Sequence, residues 1–103
     1  MEDDQVLRKI ANSVIVTMYE IPQINHLPIE EIRDVPLGKL RRDATRLHAV
    51  CRYHKGIKKS DISGPKDVRC VDVHPLALEM DWQRYAAFLL YHEFLHALGF
   101  AGH

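Results

Sequence analysis

The 103-residue chain lacks any apolar run near the ~18 residues that span a membrane, and no apolar segment follows a basic start as in a secretory leader. A cytoplasmic protein with no membrane partner is therefore expected. Cysteine is scarce: Cys51 and Cys70 are too few for a disulfide framework and are expected as buried, reduced thiols. Net charge is absent too. Lys plus Arg number 14 and Asp plus Glu number 14, so overall charge selects neither an acidic nor a basic partner. Repeats and low-complexity tracts are missing, which excludes solenoids and disordered tails. What remains is an ordinary globular composition, 47% hydrophobic and 27% charged, with room for one domain over residues 1–103.

From Asp4 to Tyr19, Val6, Ile10, Val14 and Met18 recur every fourth residue beside Leu7 and Ala11, the stripe of an amphipathic helix. Ile21-Pro22 ends it, because a residue before proline is pushed out of helical geometry. A short helix from Pro28 to Val35 follows, before Pro36 and Gly38 interrupt. Alternation from Thr45 to Tyr53 predicts a strand with one polar face, although a helix from Leu37 to Ala49 also fits. His54 to Asp67 is expected as a surface loop, and Val68 to Val73 as a second strand stopped at His74-Pro75. Asp81 is the expected N-cap of a last helix from Trp82 to about Leu98, with Gly99 as terminator. Every residue from Tyr85 to Tyr91 is apolar or aromatic, so this helix is expected to be buried on several sides. The fold class is α+β: an N-terminal helix, a small sheet and a buried C-terminal helix.

That last helix carries His92-Glu93-Phe94-Leu95-His96. The two histidines stand four residues apart, hence on one face and one turn from each other. Imidazole nitrogens so spaced suit one zinc ion, and three protein ligands leave a fourth position for water or substrate. Zinc acidifies its water to a pKa of about 7, and a carboxylate next to the first ligand can take that proton, the place Glu93 occupies. Burying two imidazoles and a carboxylate in an apolar helix is costly unless hydrogen bonds or a metal compensate.

On these residues the chain resembles the zincin metallopeptidases, which implies a minimal zincin-like domain with His92 and His96 as zinc ligands and Glu93 as general base. His92 to Gly99 is also similar to the extended metzincin motif, Gly99 matching its glycine. The third metzincin histidine would fall at Gly102, with His103 one residue later, and the layout looks more like SprT-like and other minimal intracellular zincins. His103 is the expected third ligand and His74 the fallback, whereas His26, His48 and His54 receive no role.

The expected activity is hydrolysis of peptide bonds in a peptide or protein substrate, held by strand addition along an edge strand, with Val68 to Val73 the favoured edge. The alternative is a non-catalytic or autoinhibited metal-binding module. Eight basic residues between Lys39 and Lys59 face the single acid Asp43, which leaves a nucleic-acid partner as a side hypothesis.

Overall fold

A computed structural model describes residues 2–46 and 48–100. It is a compact α+β arrangement of two long helices on one face of a three-stranded mixed sheet. Helix α1 spans Glu2–Tyr19. Its buried line is Leu7, Ala11, Val14, Ile15 and Met18, so the centre of the stripe lies one residue beyond Val6 and Ile10, which are only half-buried. A period of 3.6 rather than 4 produces that drift. The segment expected as a helix from Pro28 to Val35 is a 3₁₀ turn, Ile29–Asp34, pinning the buried Ile29 and Ile32 against α1.

The sheet has the order β1-β3-β2, with β1 Leu37–Lys39, β2 Ala49–Tyr53 and β3 Val68–Val73. β1 runs parallel to β3, and β2 antiparallel to it. Three expectations change here. β2 begins at Ala49 rather than Thr45: Thr45 and Arg46 are irregular, and Leu47 lies outside the described residues. β1 replaces the Leu37 to Ala49 helix, its ladder being continued by Val71 N–H to Pro36 O at 2.9 Å and Leu40 N–H to Val73 O at 3.0 Å. β3, favoured above as the docking edge, is the central strand with both sides paired, so the free edges belong to β1 and β2.

Strand alternation separates the cysteines. Cys51 pairs with Val71 on the helix-covered face, whereas Cys70 pairs with Arg52 on the opposite face, and no disulfide joins them. That opposite face carries the Arg52–Asp72 ion pair at 2.8 Å. Gly38 sits beside it, and a Cβ there would lie 2.4 Å from Asp72 Oδ1. Between Arg52 and Tyr53 the register skips Arg69, a bulge whose extra residue lies near the start of β3.

Two successive 3₁₀ turns, Pro75–Leu78 and Met80–Trp82, lead into helix α2, Gln83–Ala97. Asp81 falls inside the second turn, so it does not cap; Trp82 holds the N-cap position and no side chain caps the helix. α2 buries Ala86, Leu90, Glu93, Phe94, His96 and Ala97 against α1, β2 and β3. As expected, most of its apolar run is covered, with Tyr85, Ala87, Leu89 and Tyr91 half-buried against the core; the exception is Phe88, 56% exposed, and Trp82 just before the helix is 55% exposed. Gly99 does terminate it, at φ +107°, where a side chain would be strained. Among the described residues no helix is long and apolar enough to cross a membrane.

Candidate metal centre

The end of α2 builds the site. Gly99 N–H donates to His96 O at 3.0 Å and Phe100 N–H to Leu95 O at 3.0 Å, the paired bonds of a Schellman turn. This turn carries the Phe100 carbonyl back over the last helical turn, where it lies 2.7 Å from His96 Nδ1. A carbonyl can only accept, so Nδ1 is the protonated nitrogen and Nε2 keeps its lone pair. The main chain thus fixes the tautomer and orientation of His96, by the kind of bond that ligating histidines also commonly make.

His92, one turn earlier, brings its own Nε2 to 3.0 Å from His96 Nε2, with the rings edge-to-face. Two nitrogens on a tetrahedral zinc at 2.0–2.1 Å stand about 3.3 Å apart. The observed separation is a few tenths of an ångström shorter and is that of a hydrogen bond, in which His92 Nε2 donates to His96 Nε2, so the pair would have to open to take an ion. Both histidines line a cavity of about 520 Å³, closed on the far side by Ile21, Gln23 and Ile24 from the turn after α1 and at the end by Phe100. Ile24 is buried, and its N–H bonds to Ile21 O at 3.1 Å, which fixes this wall.

Glu93 is only 7% exposed and lies about 60° around the helix from His96, outside the cavity lining. It faces β2. The Tyr53 phenol there is held above its ordinary pKa, first by burial, then by the Cys51 thiol, and further by the negative charge of Glu93. Tyr53 therefore stays a neutral hydrogen-bond donor within electrostatic reach of Glu93. Its period-two spacing from Cys51 put it on the covered face, but nothing in the sequence paired it with Glu93.

The structure brings His92 and His96 together and leaves Glu93 on the adjoining face of the same helix. His103 lies outside the described residues, and among those described no group of three or more His, Cys, Asp and Glu side chains gathers to hold a metal. His74 is not the missing ligand. Its Nε2–H is shared between Ala44 O at 3.0 Å and Arg42 O at 3.2 Å, and its Nδ1 accepts from Leu76 N–H at 3.2 Å. Both nitrogens are used in tying the 41–45 loop to the turn after β3. The basic segment is dispersed: Arg41 pairs with Asp43, Arg52 with Asp72 on the uncovered sheet face, and Arg42 lines a second cavity beside the start of α2.

Comparison of the chain with protein-family models, with curated proteins and with solved structures finds no match in any of the three.

Proposed function

We propose that the chain is a zinc-dependent metallopeptidase. The observation that carries this reading is the convergence of the two Nε2 atoms at 3.0 Å with the His96 tautomer set by Phe100 O, one residue from a buried carboxylate. The donor types fit zinc: two imidazoles, one oriented by a main-chain carbonyl, a few tenths of an ångström short of the separation of a tetrahedral ion. His92 and His96 would hold the ion, and His103 is proposed as the third ligand. When bound, zinc would supply a Lewis acid for the substrate carbonyl and acidify a water molecule.

The remaining work belongs to the chain. Glu93, almost fully buried on the adjoining helix face, would accept the proton of the attacking water and return it to the leaving amine. Tyr53 donates toward charge developing on the carbonyl oxygen, its raised pKa keeping the donor proton in place. The unpaired side of β2, ending at Tyr53, offers main-chain groups to an extended substrate, the role once expected of β3.

Two measurements test the reading. Wild-type protein should cleave a fluorophore-quenched unfolded protein, lose that activity on chelation and regain it with one equivalent of zinc per chain. Activity untouched by chelation would overturn it. His103→Ala should weaken zinc binding tenfold or more if His103 is the third ligand; unchanged affinity would remove it from the site.

A further inference from the structure

The start of α2 presents exposed aromatic surface away from the histidine pair. A cavity of about 440 Å³ lies there, walled by Leu76, Ala77, Trp82, Tyr85 and His48, with Arg42 at its side. The Tyr85 hydroxyl and His48 Nδ1 hydrogen-bond at 2.7 Å. Tyr85 also stacks on Phe88 at 6.4 Å and 18°, and meets Trp82 edge-on at 6.3 Å. Trp82, Phe88 and Leu76 are each at least half exposed, although folding drives such side chains inward. A preformed aromatic cluster around a concave apolar site is the surface a partner side chain fills.

Its position relative to Glu93 identifies the partner. Tyr85 precedes His92 by seven residues, two turns, and so shares its helix face. Tyr85 to Glu93 is about 12 Å along the helix. β2 runs beside it in the same direction, from His48 at the cavity to Tyr53 in the field of Glu93, about 16 Å of strand. One helix and one strand with an open edge therefore connect the cavity to the carboxylate. An extended chain covers that span in four or five residues.

Resting on the peptidase reading, we propose that this cavity is a substrate subsite taking a bulky apolar or aromatic side chain of an unfolded polypeptide, four or five residues from the bond cleaved. Local charge favours polypeptide over nucleic acid. Arg42 is the one Lys or Arg side chain among the lining residues, Arg41 is engaged by Asp43, and exposed Glu79 and Asp81 precede Trp82 in the chain, so a phosphate backbone would find little positive charge there. Binding energy gained there, remote from the reacting bond, would be used to hold the scissile carbonyl beside Glu93.

Trp82 is the only tryptophan, so its emission reports on the cavity directly. Glu93→Gln protein, which binds without turnover, is titrated with twelve-residue Ala/Ser/Gly peptides in which one Phe is walked along the chain, and with an all-Ala/Ser/Gly control. Peptides with Phe are expected to shift the emission and bind about tenfold or more tighter than the control. In wild-type protein, kcat/KM should peak where Phe stands four or five residues from the cut. Leu76→Lys, a change at a half-exposed wall position, should remove the discrimination while cleavage of the control persists. Equal affinity for Phe and control peptides, a best position adjacent to the cut, or an emission shift only with an oligothymidylate would overturn the subsite. Discrimination without cleavage would instead overturn the peptidase reading and leave the cavity as a peptide-binding site.

Discussion

His96 owes its orientation to a backbone carbonyl rather than to a carboxylate, which makes a glycine three residues away part of the proposed metal site. Only at φ +107° does Gly99 deliver Phe100 O to Nδ1, and a Cβ there would also press on Ile62 O at 3.4 Å. Gly99→Ala should cost about 1–2 kcal/mol in urea unfolding, the expense of a left-handed non-glycine residue. It should also lower zinc affinity about tenfold, because the imidazole loses its orienting bond. Unchanged zinc affinity in a destabilised variant would remove Gly99 from the metal site. Tyr53 gives a second residue-level test. Its folded pKa is raised above 10.0, so the unfolded state releases the phenolic proton first. The stability this contributes is fully present below about pH 10 and is lost as pH climbs toward the folded value. Between about pH 9 and 11 the urea midpoint of wild type should fall more steeply than that of Tyr53→Phe; parallel curves would show that the phenol is not perturbed.

Among the elements, those with local causes were legible. α1, β3 and α2 follow from apolar periodicity, and Gly99 marked the end of α2 because only its backbone freedom suits that turn. The His92–Glu93–His96 cluster was visible because spacing on a helix is a local property. β1 was not, since three residues after Pro36 carry no periodicity and become a strand only by pairing with Val71 to Val73, more than thirty residues on. The same non-local pairing put β3 in the centre and passed the free edge beside α2 to β2. Asp81 has the chemistry of a cap, but a 3₁₀ turn closed by Trp82 N–H to Glu79 O at 2.8 Å takes it out of position. The unbroken apolar run at Tyr85 to Tyr91 predicted burial on several sides, and all of it but Phe88 is buried or half-buried; Phe88 faces solvent, stacked on Tyr85 of the aromatic cavity. Leu90, fully buried on the inner side of the same run, should behave oppositely to Phe88. Leu90→Ala should destabilise by about 2–5 kcal/mol and Phe88→Ala by under about 1 kcal/mol, measured by denaturant unfolding. Equal costs would contradict the burial of Leu90 and the exposure of Phe88.

For the whole molecule, a chain of 103 residues has roughly 5–15 kcal/mol of stability to share between core and site. One core, from Leu7 and Ile15 through Val71 and Val73 to Leu90 and Phe94, joins α1, the sheet and α2. The histidine pair lies where that core meets the turn after α1, so an ion bound there links the end of α2 to the folded state. At a hundredfold excess over its dissociation constant, zinc should add about 2.7 kcal/mol and raise the melting temperature by roughly 10–20 °C. A melting temperature indifferent to zinc would mean that the folded chain does not bind it. Catalysis is the further step, and it rests on Glu93. The most direct measurement compares wild type with Glu93→Gln at matched zinc occupancy, following cleavage of one unfolded protein substrate. The account predicts that the variant keeps its zinc and loses at least about a hundredfold in kcat/KM; equal cleavage by the two would contradict it.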